Sequence, residues 1–181
     1  MKKVYLAGKI KPNDWRNQFF DMRDSFFACD VNGKKENLLN SLEYYKNDIY
    51  INGPFFLSCD HSCYHGPESH GMRGSCYGER SFTEKDVNYI CLKQIENCDI
   101  LFAYINDKTC YGTLSEIGYA KALGKKILLL FDDGKLLKEM WFIKQMADEV
   151  EYMNFYIHNK VLHKEELKVK DIFDKMIDKY V

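Results

Sequence analysis

The chain has 181 residues, 46% of them hydrophobic, and a formal net charge of −1. That length holds one domain with a full core. The balance excludes a disordered chain and a surface-wide field for a nucleic-acid polymer.

Seven cysteines, an odd number, predict free thiols in a reducing cytoplasm. The opening MKKVYLAGKI carries too short an apolar run for a signal peptide. No run of about eighteen apolar residues predicts a membrane span. The 13 tyrosines and 12 phenylalanines exceed what a core of this size needs. Some of them are expected to line a pocket or a subunit interface.

Lys3 to Ala7, KVYLA, reads as a short strand stopped by Gly8. A loop follows, and Asn13 or Asp14 can cap a helix starting near Trp15, whose Trp15, Phe19, Met22 and Phe26 share one face. Lys9, Lys11 and Arg16 surround this helix start. They read either as a phosphate or carboxylate contact or as solvated surface charge. Residues 29–47 read as a polar connection with a short helical piece, ENLLNSLEYY, and Asp48 to Ile51 as a second strand closed by Asn52-Gly53-Pro54.

Phe55 to Phe82 is rich in glycine, cysteine and histidine. A loop of this length inside a compact domain points to function or mobility. Cys59, His61, Cys63 and His65 alternate, so an extended segment would set them on one face. With His70 and Cys76 nearby, zinc is one reading. A lid or ligand pocket, with His61, His65 or His70 as hydrogen-bond donors, is another, and a surface excursion a third. Thr83 to Asn97 returns to helical spacing, with Val87, Ile90, Cys91 and Ile95 on one face and Thr83/Asp86 resembling a capping box.

The organising stretch runs from Asp99 to Phe131. Ile100 to Ile105 and Ile127 to Phe131 are apolar throughout, as suits parallel strands covered on both faces. Gly112-Thr113 opens a helix between them, with Leu114, Ile117, Ala120 and Leu123 inward and Gly124 at its end. Glu116 falls in its first turn, at the carboxyl end of a parallel strand, where open α/β sheets bind ligands. Thr113-x-x-Glu116 also reads as a capping box.

Beyond Asp132-Asp133-Gly134, the pattern predicts a helix over 136–150 with Leu137, Met140, Trp141 and Met146 inward. A last strand over 152–157 and an amphipathic helix over 163–180 follow, the helix with Leu167, Ile172, Phe173 and Met176 inward. Five strands alternating with helices predict a single-domain, doubly wound α/β parallel sheet of flavodoxin-like type. The strand order of that class is 2-1-3-4-5.

Three segments together resemble the nucleoside 2-deoxyribosyltransferase family, which includes related nucleotide N-glycosidases. They are Val4-Tyr5-Leu6-Ala7-Gly8; Asp86 ahead of Asn97-Cys98-Asp99-Ile100; and Gly112-Thr113-Leu114-Ser115-Glu116-Ile117-Gly118-Tyr119-Ala120 through Gly124-Lys125. The resemblance implies that Glu116 is a nucleophile that attacks the anomeric carbon of a nucleoside or nucleotide and forms a glycosyl-enzyme. It implies that Asp86 faces base and sugar, that Tyr5 orients the nucleophile, and that Gly8 and the Gly112 turn border the substrate. No cofactor is expected, and a homo-oligomer is. Cys110-Tyr111 stand where family transferases often carry an acid, Gly8-Lys9 where Gly-Pro is usual, and the 55–82 insertion has no counterpart. Base, sugar, phosphorylation state, and transfer versus hydrolysis stay open. A non-catalytic nucleotide sensor and a zinc-dependent protein are the alternatives.

Overall fold

The computed structural model describes residues 1–10, 14–19, 42–54, 84–153, 155–158, 161–164 and 168–180. The 55–82 insertion, with its whole Cys/His cluster, lies outside them, as do residues 20–41. Its main sheet has six strands in the order β2-β3-β1-β4-β5-β6. They are β1 (Lys2–Gly8), β2 (Glu43–Lys46), β3 (Ile49–Asn52), β4 (Ile100–Ile105), β5 (Lys126–Phe131) and β6 (Glu149–Tyr152). Without β2 the order is the expected 2-1-3-4-5. The sheet thus has one strand more than predicted. Among the described residues, no helix is long and apolar enough to cross a membrane.

The chain forms two compact units, Met1–Tyr5 with Ile10–Cys98, and Leu6–Lys9 with Asp99–Val181. In the first, β1 pairs parallel with β3, Tyr5 opposite Asn52. The extra strand β2 pairs antiparallel with β3. Asn47 and Asp48 link them with φ of 46° and 60°, as a two-residue type I′ turn demands. Glu43 to Tyr45, expected to be helical, is therefore extended, because pairing along the β3 edge overrides the local helical pattern. Asp14 caps a 3-10 turn over Trp15–Gln18, its carboxylate accepting the Arg16 N–H at 3.0 Å. Helix α1 (Glu84–Asn97) buries Ile90, Cys91, Gln94 and Ile95, matching the predicted face at three of its four positions.

In the second unit, β4 pairs parallel with β5 and β5 with β6. Both faces of β4 are buried along its whole length. Helix α2 (Tyr111–Ala122) crosses between β4 and β5 and buries Thr113, Ile117 and Ala120. It ends in a Schellman motif: the Lys125 N–H reaches the Ala120 carbonyl and the Gly124 N–H that of Lys121, both at 3.0 Å. Gly124 sits at φ 69°, and a Cβ there would meet nothing within 4 Å. Only the backbone penalises a side chain, so Gly124→Ala is expected to cost about 1 kcal/mol in urea unfolding. An unchanged midpoint would contradict this cap.

The expected helix over 136–150 is two short ones, α3 (Gly134–Glu139) and α4 (Trp141–Lys144), divided where Met140 leaves helical geometry at φ −96°, ψ 39°. Trp141, expected inward, is 63% exposed. Its ring meets Phe142 edge-on instead. The last sheet strand is β6 rather than 152–157. It opens where Asp148 donates its N–H to the Ile127 carbonyl and accepts the Ile127 N–H. Residues 155–158 and 161–164 form a separate hairpin, β7 (Phe155–His158) and β8 (Val161–Lys164). The terminal helix α5 (Val169–Ile177) therefore starts later than predicted. Its Phe173 packs edge-on against Phe102 at 5.0 Å, and Ile172 and Met176 are buried as expected.

Candidate active site

The carboxyl ends of the second unit's strands carry its reactive side chains. Glu116 is half-buried in the second turn of α2, not the first, because the helix begins at Tyr111 with Cys110 as its N-cap. Thr113 is buried inside the helix and caps nothing. The capping-box reading of Thr113-x-x-Glu116 is thus removed, and with it the simplest structural reason for a carboxylate at this position.

Polar groups at the ends of β1 and β4 form a network. Lys9, just after β1, donates from Nζ to Asp107 Oδ2 at 2.7 Å and to Thr109 Oγ1 at 2.8 Å. Asp107 Oδ1 accepts the Thr109 N–H and hydroxyl, each at 2.8 Å. These bonds fold the loop after β4 into an Asx turn and tie it to the end of β1. The Lys9 hydrogen bond foremost, then the Thr109 N–H, holds the Asp107 carboxyl well below the usual carboxylate range.

A carboxylate whose folded pKa is lowered adds stability above its unfolded pKa of about 4, and that contribution disappears as pH falls through the folded value. The protein is therefore expected to lose stability below about pH 4, and Asp107→Asn to lose less over the same range. Parallel acid limbs in denaturant titrations would count against this.

Cys110 is 3% exposed and makes no side-chain cap hydrogen bond. Burial pushes its thiol up, and the charges of Asp107 and Glu116 push the same way, against the pull of Lys9 and a backbone hydrogen bond. The thiol senses all three charged groups, which places Lys9, Asp107 and Glu116 in one neighbourhood. A raised pKa disfavours the thiolate that a nucleophile would need. On the next strand ends, the Tyr104 hydroxyl donates to Asp132. Burial, then that carboxylate, pushes the phenol far up. Lys108 pairs with Glu139.

The remaining expected residues are placed as follows. Gly8 ends β1 and is buried. Gly112 is exposed as the second residue of α2, and a Cβ on it would meet nothing within 4 Å. Tyr5 is fully buried in the first unit. Asp86 is the third residue of α1. Arg16 is neither a loop cation nor surface charge: it is 1% exposed, 2.7 Å from Asp14 and stacked over the Trp15 ring at 4.6 Å. Lys11, His61, His65 and His70 lie outside the described residues. Among the described residues no His, Cys, Asp and Glu cluster could hold a metal, and Cys91, Cys98 and Cys110 are buried thiols.

Asp107 and Thr109 were missed by sequence reasoning; the signal was an Asp-x-Thr step directly after a buried strand. Asn106 and, in the first unit, Asn52 also stand at strand carboxyl ends with buried side-chain oxygens that have no hydrogen-bond partner.

A family model described as nucleoside 2-deoxyribosyltransferase matches residues 73–168, more than half of the chain. The chain belongs to the nucleoside 2-deoxyribosyltransferase family. The matched span holds Asp86, the Asp107 turn, Cys110, Gly112 and Glu116, and begins within the 55–82 segment. Among solved structures, the chain is similar to a 2-desoxiribosyltransferase from Leishmania mexicana, with 17% identity and a TM-score of 0.41. That match covers 74% of this chain and 66% of the other. No curated protein matches significantly.

Proposed function

We propose that the protein cleaves or transfers at the N-glycosidic bond of a (deoxy)nucleoside or nucleoside 5′-monophosphate, with Glu116 as nucleophile. The observation that carries this reading is the position of Glu116: half-buried in the second turn of α2, with no capping role, its charge acting on the Cys110 thiol together with those of Lys9 and Asp107. Family membership supports the same chemistry.

A Glu116 carboxylate oxygen bonds to C1′ as the bond from C1′ to the base nitrogen breaks. The departing base keeps the electron pair and takes up a proton, for which Asp86 or an insertion histidine is the candidate donor. Positive charge gathers on the sugar in this oxocarbenium-like transition state, and the adjacent anion stabilises it. Water or a second base then attacks C1′ and releases the carboxylate, completing hydrolysis or transfer. Tyr5 is assigned to orienting Glu116, Gly8 and Gly112 to the sugar side, and His61, His65 and His70 to the base.

The test is chromatographic. The protein is incubated with pooled ribo- and deoxynucleosides and their 5′-monophosphates, with and without a second free base. Release of base, or exchange of one base for another, is the expected result. Unchanged substrates throughout the pool would overturn the reading.

A further inference from the structure

Asn52 ends β3, a strand whose Ile49 and Ile51 lie in the core, and it is itself 3% exposed. Its side-chain Oδ1 is buried and has no hydrogen-bond partner among the described residues. The next two residues, Gly53 and Pro54, are buried as well, and Pro54 carries no N–H to give. In the parallel pair of β1 and β3, Tyr5 lies opposite Asn52, so the two side chains share one face of the sheet. Asn52 stands at the carboxyl end of its strand, the end at which open α/β sheets bind ligands.

A buried carbonyl oxygen without a donor destabilises the free protein, and an apolar side chain of similar size would not. Native chains keep few such groups, and each one calls for a reason. We propose that Asn52 is a ligand-binding residue, its Oδ1 accepting a hydrogen bond from a substrate N–H or O–H, on the base or on the sugar. This rests on the glycosidic reading above, in which Tyr5 takes part in the same reaction. An amide suits the task because it offers an acceptor without a charge. It can stay buried in the free protein at a cost that a carboxylate would greatly exceed.

Two properties separate a ligand-binding amide from a structural one. The first is the stability of the ligand-free protein, read as urea midpoints of wild type, Asn52→Leu and Asn52→Ala. The second is affinity, read by calorimetry on all three side chains in a Glu116→Ala background, so that no probe is consumed. The probes are purine and pyrimidine nucleosides, their 2′-, 3′- and 5′-deoxy forms, and base analogues that each lack one N–H. Turnover of the same probes is followed with Glu116 in place.

The expected result is an Asn52→Leu midpoint at or above that of wild type, with affinity for the parent nucleoside lower by at least about tenfold. One analogue should lose as much affinity for the Asn52 protein and lose nothing further in either variant. A deoxy sugar in that role places the donor on the sugar, and an altered base places it on the base. Midpoints lowered in both variants, or analogue penalties that the variants leave unchanged, would overturn the inference, and turnover with Glu116 in place would leave the glycosidic reading standing. A penalty shared by Asn52 and one analogue, with no turnover of any probe, would sustain the inference and overturn that reading. Binding of no probe would overturn both.

Discussion

Glu116→Ala is expected to lower base release or exchange by about 10³-fold or more, while costing about 1 kcal/mol or less in stability. The loss is large because the residue forms and breaks the bond to C1′. Without it, base departure must pass through an uncompensated sugar cation. The stability cost is small because Glu116 is half-buried on α2, makes no cap, and alanine is the better helix former. Glu116→Gln should be as inactive, since the amide keeps the shape and loses the charge. A small carboxylate such as formate should restore part of the alanine variant's activity and none of the glutamine variant's, whose side chain fills the space. Full turnover by either variant would remove Glu116 from the mechanism.

The second large effect concerns the fold. Arg16 and Asp14 form an ion pair whose side chains are 1% and 0% exposed. Asp14→Ala removes a countercharge 2.7 Å from a buried guanidinium and deletes the cap on the Arg16 N–H, and should destabilise by about 3–5 kcal/mol. Substituting both members, Asp14→Ala with Arg16→Met, should recover much of this, because a well-packed apolar pair avoids the desolvation cost. Reversible denaturant unfolding of the three proteins measures both numbers. A single variant within about 1 kcal/mol of wild type would show that the pair contributes as little as a surface one.

The parts of the fold that were legible in the sequence are those where burial is two-sided. Ile100 to Ile105 is apolar at every position because both faces of this central parallel strand are buried, and β4 has the predicted bounds. The face of α1 was legible for the same reason, as a period of burial. Strand β6 was hidden because it is a sheet edge. Glu149 and Glu151 lie on it and pair with Lys179 and Lys175 of the C-terminal segment, charges that protect an edge and mask its pattern. The β2–β3 hairpin was hidden behind a leucine- and tyrosine-containing stretch with helical spacing, although Asn47-Asp48 was its turn signal.

At the site, the Gly112-Thr113 step suggested a helix start that the chain makes earlier, at a residue that is rarely an N-cap. Cys110 took that role because the Asx turn of Asp107 delivers the chain there. The Lys9–Asp107 pair joins positions 98 apart, and local pattern carries no trace of it. Tertiary placement alone joins Asp107 and Thr109 to Lys9.

The most direct test of the central claim is mass spectrometry of the protein quenched during turnover with a nucleoside and no second base, followed by peptide mapping. The account predicts one added glycosyl group, on the peptide containing Glu116, absent from Glu116→Ala and lost on addition of a free base. Base release with no adduct, or with the sugar on another residue, would contradict it.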